Sequence, residues 1–331
     1  MVKLALLSAW HVHTTWFIGE LKKYPIAEFV VVWDDDEARG RKMAERLSVP
    51  FEPNLTKVLY EYDIEGVIVE CATTKHADVI IQAARAKKHI FSDKTLGLTV
   101  KECLAMKEAI EENHVKFLLS LETKTVGVYQ QALKLVREGK IGRVTAAHFR
   151  RTHGGALQPQ FAPAYWFDVA QTGGGVTLDL GCHGLYLLPE FCGVPKRVSC
   201  MMNELYHTRS DENSTTTIEF ENGAIATAHT SSVVGSNNNL LEVLGTEGII
   251  IISGENEFLL QSKHISGHEE LAPLPKGELW ENEEMPIVKF VKLISSEEQF
   301  LPGYGLETAI MLARLIECAY QSAKEQRVIT Y

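Results

Sequence analysis

The sequence predicts an α/β domain built on a doubly wound parallel sheet, followed by an α+β domain with a mostly antiparallel, open sheet. Three observations predict this. The first 120 residues alternate short apolar runs with amphipathic stretches. After residue 122 the texture changes to strands joined by tight turns. The length, 331 residues, exceeds what one ordinary core holds and suits two domains.

The early apolar runs are Leu4–Leu7, Phe29–Trp33, Gly66–Glu70, His89–Ser92 and Phe117–Ser120. Unbroken apolar runs suit strands buried on both faces. Glu37–Leu47, Ala77–Ala86 and Val100–Glu112 lie between them and suit crossover helices, so right-handed βαβ units build a parallel sheet. Gly127–Glu138 reads as a helix. Beyond it, Val144–Arg151, Val198–Leu205, Thr215–Phe220, Ala224–Ser231, Leu240–Leu244 and Gly248–Ile252 read as strands. Turns such as Glu221-Asn222-Gly223 join them without helices between, the mark of antiparallel or mixed pairing. Gly305–Lys324 reads as a closing helix, and Gly154–Thr172 as an irregular loop able to edge a cleft. The domains are placed at 1–122 and 123–331.

Composition excludes several classes. The formal net charge is −10, which argues against nucleic acid as a partner. No apolar run approaches the roughly 20 residues that span a bilayer, so no membrane partner is expected. Met1–Leu7 reads as a first strand, not a signal peptide. Six scattered cysteines without a Cys-x-x-Cys pair suit reduced thiols in a cytoplasmic protein.

The segment Gly173-Gly174-Gly175-Val176-Thr177-Leu178-Asp179-Leu180-Gly181-Cys182-His183 carries the chemistry. On a helix, Asp179 and His183 at i and i+4 share a face. Such a pair can move protons near neutral pH; it is equally a buried polar pair at a helix start.

With Asp93-Lys94-Thr95 and Leu135–Val144, this segment resembles the glucose–fructose oxidoreductase / inositol dehydrogenase (Gfo/Idh/MocA) family of two-domain, nicotinamide-dependent enzymes. The family's Gly-Gly-x-x-x-Asp-x-Gly-x-His pattern falls on Gly174, Gly175, Asp179, Gly181 and His183. The resemblance implies a Rossmann-type first domain and an oxidoreductase acting on a hydroxyl carbon of a sugar or cyclitol. It also implies association as a dimer or tetramer through the open sheet. It makes Lys94, Asp179 and His183 the catalytic set, with Lys94, Arg151, Trp166, Asp179 and His183 around the substrate. Tyr165, Arg150 and His153 are further substrate-side candidates.

The glycine fingerprint after the first strand is replaced by Ser8-Ala9-Trp10-His11-Val12-His13, in which Ser8, Trp10 and His13 take the small positions. A Trp there would crowd the cofactor, whereas the helix N-terminus behind the loop remains suited to phosphate. The expected cofactor contacts are Ser8, Trp10, His11 and Val12, then Asp34 and Asp35 after the second strand. Thr73, Thr74 and His76 follow the third apolar run, with Asp93, Lys94 and Glu122 at the nicotinamide end. Asp34 fits the acid that binds a ribose 2′-hydroxyl, or caps a helix, a role Asp36 can fill instead. Three successive carboxylates favour NAD over NADP. His76 suits either a cofactor contact or a structural helix start. His11 and His13 have no further ligand assignable from sequence, so no metal is expected. Two other readings stand beside the dehydrogenase: a non-catalytic dinucleotide or sugar sensor, and redox-neutral, NAD-dependent glycoside chemistry.

Overall fold

The computed structural model describes residues 1–158, 163–206, 208–237, 239–254 and 257–331. The chain divides into two compact units. The first contains Met1–Leu121, Ala170–Gly173 and Glu284–Ala313; the second contains Glu122–Val169, Gly174–Glu283 and Arg314–Tyr331.

The first unit begins with β1 (Val2–Leu7), α1 (Thr14–Leu21), β2 (Ala27–Trp33), α2 (Glu37–Leu47), α3 (Leu55–Glu61) and β3 (Gly66–Val69). It continues with α4 (His76–Arg85), β4 (His89–Ser92), α5 (Val100–Glu112) and β5 (Phe117–Leu119). All five strands are parallel, in the order β2-β1-β3-β4-β5. The apolar runs are therefore central strands covered on both faces: β3 and β5 are buried at every residue. Chain order reverses at β1/β3, the crevice where open α/β sheets hold ligands. Helix starts follow side-chain chemistry. Asp36 accepts the Arg39 N–H and caps α2, and Thr99 and Glu102 form a reciprocal capping box on α5.

The second unit carries α6 (Gly127–Arg137) and β6 (Val144–Thr152); α7 (Val169–Thr172) follows, with Ala170–Thr172 in the first unit. It resumes with α8 (Cys182–Cys192), β7 (Pro195–Asn203), β8 (Asn213–Phe220) and β9 (Ile225–Ser231). The strands β10 (Leu240–Gly245), β11 (Gly248–Ser253), β12 (Glu257–Ser262) and β13 (Ala272–Pro273) follow. After α9 (Pro286–Ile294) of the first unit, α10 (Leu306–Glu325) leads into β14 (Ile329–Thr330). The sheet order is β13-β12-β11-β10-β6-β9-β8-β7-β14. Every pairing is antiparallel except β6 with β9.

The helix α8 packs on β6 and β9 at Gly184, where a Cβ would stand 2.8 Å from Ala228 Cβ and 2.9 Å from Phe149 Cδ1. The expected irregular segment Gly154–Thr172 contains short 3-10 turns at Gly155–Leu157 and Ala164–Phe167; residues 159–162 lie outside the described residues. All six cysteines are free thiols and buried. Among the described residues no helix is long and apolar enough to cross a membrane.

Candidate functional site

In the first unit the site residues gather at the carboxyl ends of β1 to β4. Ser8 holds the first glycine position of the missing fingerprint and keeps a left-handed backbone, φ +76°. Its hydroxyl accepts the Trp10 N–H at 3.2 Å, which stabilises the turn. Trp10 is 3% exposed and its indole N–H donates to Gln171 at 2.9 Å. The side chain expected to crowd the cofactor is thus part of the first unit's packing. Other loop N–H groups are also engaged. Ala9 donates to Asp34, His11 to the Glu70 carbonyl, and His13 to the His11 ring. Val12 is exposed. Behind the loop, α1 begins without a side-chain cap or an acid in its first turn, so its dipole is left for an anion.

Asp34 is buried at the end of β2. Its Oδ1 accepts from Asp36 N–H and Arg39 Nη2, and its Oδ2 from Ala9 N–H and Arg39 Nε. Four donors use the four lone-pair sites of a carboxylate, leaving none for a ribose hydroxyl. Asp34 orders the loop, as Asp36 caps the helix. Asp35, with a side chain 26% exposed, pairs with Arg39 and Lys75 and keeps one lone pair on each oxygen. We therefore expect Asp34→Ala to destabilise the first unit by about 2 kcal/mol, the scale of hydrogen bonds to a charged group, readable by chemical denaturation. We also expect tighter binding of NADH than NADPH, because Arg39 is spent on carboxylates; fluorescence titration checks it.

Thr73 lies in the 3-10 turn Thr73–Lys75, and the Thr74 hydroxyl donates to the Gln171 carbonyl at 3.0 Å. His76 is 2% exposed, with Nδ1 near the Thr95 and Leu96 carbonyls and Nε2 near that of Cys71. These contacts give it a structural role. Burial lowers its pKa against the pull of those carbonyls, and burial also lowers His89. The folded protein therefore binds fewer protons than the unfolded chain as pH falls below the ordinary histidine value of 6.5. Stability is expected to be full above that pH and to decline below it, which unfolding midpoints across pH 5–8 would show.

Asp93 accepts the Lys94 N–H on Oδ1 and faces two imidazoles with Oδ2: His11 Nδ1 at 2.7 Å and His13 Nδ1 at 3.0 Å. Burial tends to raise its pKa, but His11 and His13 outweigh this and hold it well below the usual carboxylate range. Burial lowers His11 to about 4. Glu70, fully buried, is pushed well above the usual range, first by burial and then by the charge of Asp93. Lys94 is 4% exposed.

In the second unit, Gly174 and Gly175 pack where no side chain fits: a Cβ on Gly175 would lie 2.2 Å from the Asp211 carbonyl oxygen. The Asp211 carboxylate accepts the N–H groups of Gly175 and Thr177 and thereby caps the following turn. That turn, Thr177–Gly181, is a π-helix and not the expected α-helix; α8 follows it. π-turns occur often at functional sites. Asp179 is half-buried within it, and His183, 1% exposed, lies in the first turn of α8.

His183 Nδ1 lies 2.9 Å from Thr123 Oγ1 and 2.7 Å from Tyr186 Oη, while Nε2 lies 3.4 Å from Glu122 Oε1. Arg151 donates to Thr123 Oγ1 at 2.6 Å and stands 3.7 Å from Glu122 Oε1. Glu122 is 6% exposed, and neither of its oxygens has a hydrogen bond among the described residues. Burial, then the charge of Glu122, raises the Tyr186 phenol well above its ordinary pKa, so it stays neutral. The structure thus brings together Glu122, Arg151 and His183. Sequence reasoning missed Thr123 and Tyr186, although Tyr186 stands one helical turn beyond His183. Trp166 is half-buried in its 3-10 turn.

Family models fit both parts of the chain: an oxidoreductase family with an NAD-binding Rossmann fold over residues 9–121, and a GFO/IDH/MocA C-terminal domain over residues 129–251. The chain belongs to the Gfo/Idh/MocA family. It is an NAD-binding oxidoreductase of that family. The 2,7-anhydro-N-acetylneuraminate hydratase of Escherichia coli is 26% identical to it over 254 residues, which are 73% of this chain and 67% of the relative. The scyllo-inositol 2-dehydrogenase (NAD(+)) of Bacillus subtilis is 28% identical over 236 residues, 69% and 67% of the two chains. A levoglucosan dehydrogenase solved with NADH and levoglucosan shares the fold, with a TM-score of 0.85 and 19% identity over 99% of this chain and 98% of that one. Against the Gfo/Idh/MocA cofactor, NAD, the residues present fit at two places. The uncapped start of α1 suits the pyrophosphate, and Asp35 has lone pairs for the ribose. The loop amides, already bonded, offer less than a glycine loop does.

Proposed function

We propose that the protein oxidises a CH–OH group of a sugar, cyclitol or related polyol, with His183 and Glu122 handling the hydroxyl proton. The supporting observation is the buried imidazole whose Nε2 faces a carboxylate that has no hydrogen bond among the described residues. Bound NAD+ supplies the hydride acceptor.

The protein's part is the proton. Thr123 and Tyr186 hold the ring through Nδ1, and a hydroxyl can donate to a bare nitrogen or accept from a protonated one. Nδ1 is therefore satisfied in either tautomer, so the proton exchanged is the one on Nε2, the nitrogen that faces Glu122. A proton taken by Nε2 makes an imidazolium that the Glu122 charge stabilises at 3.4 Å. Arg151 limits how strongly Glu122 does so by balancing its charge. Lys94, which follows β4 in the first unit, is assigned as a donor that favours an alkoxide. Asp179, which precedes His183 by four residues, is assigned to the substrate's remaining hydroxyls.

The test is a panel of cyclitols, aldoses and anhydrosugars with NAD+, followed by NADH absorbance and by product analysis. NADH formation with at least one polyol is the expected result. Substrate conversion without NADH would instead support redox-neutral chemistry, the reading favoured by the relative named as a hydratase. NADH binding with no conversion of any compound would support the sensor. Glu122→Gln and His183→Ala losses should be far less than additive in the double variant if both groups handle one proton.

A further inference from the structure

We propose that His11, His13 and Asp93 form a binding site for a first-row divalent transition-metal ion, with Nδ1 of each imidazole and Oδ2 of the carboxylate as ligands. The site lies within the first unit, in the loop that replaces the glycine fingerprint. The sequence alone gave no third ligand because Asp93 stands 80 residues beyond His13.

The three donor atoms lie within 4.8 Å of one another. Asp93 Oδ2 is 2.7 Å from His11 Nδ1 and 3.0 Å from His13 Nδ1. Ligand atoms about 2.1 Å from an ion and at right angles to each other are about 3.0 Å apart. The cluster therefore needs to open by only a few tenths of an ångström on the His11 side. The carboxylate is already aimed, because its Oδ1 is held by the Lys94 N–H at 2.7 Å.

Hydrogen bonding alone does not satisfy the cluster. The His13 N–H points at His11 Nδ1 at 3.1 Å and needs a lone pair there. Asp93 Oδ2 approaches the same nitrogen at 2.7 Å and needs a proton there. One ring nitrogen has a lone pair or a proton, not both. A cation between the nitrogen and the carboxylate takes the lone pair of Nδ1 and turns the Asp93 approach into coordination, and the His13 N–H, at 3.1 Å, is the group that has to turn away.

A second observation points the same way. Glu70 is fully buried against this loop: its carbonyl accepts the His11 N–H, its Oε2 accepts the Thr14 hydroxyl, and its Oε1 has no hydrogen bond among the described residues. Two buried carboxylates from neighbouring βα loops, one after β3 and one after β4, gain from added positive charge. Two imidazoles and one carboxylate select zinc, iron, cobalt or manganese over magnesium and calcium, which prefer oxygen. Three protein ligands leave further coordination positions for water or an oxygen anion.

The full chain, stripped with a chelator and desalted, would be titrated with Zn2+ by calorimetry and with Co2+ by visible absorption. The expected result is one equivalent bound, with a Co2+ ligand-field band. His13→Gln and Asp93→Asn should each weaken binding roughly 100-fold or more, while His264→Gln, at an exposed His–Glu pair elsewhere, leaves it unchanged. Circular dichroism establishes that each variant is folded; His13, 22% exposed at its side chain, decides the matter if Asp93→Asn does not fold. Absence of stoichiometric Zn2+ or Co2+ binding by the folded parent overturns the proposal, as does binding that survives His13→Gln.

Discussion

Replacing His183 with Ala lowers turnover roughly 10²–10⁴-fold, the scale for loss of a general base, and changes NADH affinity little. The ring is 1% exposed, hydrogen-bonded at Nδ1 to Thr123 and Tyr186, and faces Glu122 with Nε2 at 3.4 Å. Its removal takes one cation-forming group from Glu122, which keeps Arg151 at 3.7 Å. The loss therefore falls on the proton-transfer step, and kcat drops more than KM rises. His183→Gln keeps a polar side chain in the same space, so a shared loss in both variants separates chemistry from packing. Steady-state kinetics on the true substrate is the measurement. Turnover equal to that of the parent would end the assignment of His183 as base.

Trp10→Gly destabilises the first unit by about 3–5 kcal/mol, the cost of truncating a large buried aromatic. Trp10 is 3% exposed and its indole N–H is bonded to Gln171. Truncation leaves both a cavity and an acceptor without its donor. Urea unfolding should show the loss as a lower midpoint at unchanged slope. A variant as stable as the parent that bound NADH more tightly would instead show that the indole does no more than obstruct the cofactor.

Much of the first unit was legible because parallel strands covered on both faces leave unbroken apolar runs. Asp36 as the cap of α2 was legible for a local reason too: its side chain reaches a backbone N–H three residues on. The alternating strands from Val144 to Ile252 were read for the same kind of reason, one buried face each. What failed to show was non-local. A π-turn five residues long carries no periodicity distinct from an α-turn, so Thr177–Gly181 was read as ordinary helix. Glu122 was placed at the nicotinamide end from its position after β5, and nothing nearby in sequence signals its approach to His183. The saturation of Asp34 depends on Arg39 folding back over the strand end, and the third donor beside His11 and His13 comes from another βα loop. Short-range pattern reports which face of an element is buried; it does not report which two loops meet.

The return of Glu284–Ala313 to the first unit has a consequence for how the protein is made. Lys116, buried beside β5, donates to the carbonyls of Leu293, Ile294 and Ser296, and Leu119 N–H donates to the Tyr304 carbonyl. An emerging nascent chain ending at residue 121 has the five strands but not these acceptors, so the Lys116 ammonium faces water and the edge at β5 stays uncovered. The ribosome reaches residue 313 on the order of 10–40 s later at typical synthesis rates. During that interval the amino-terminal segment waits unfinished, and the order in which the chain leaves the ribosome is not the order in which its parts become stable.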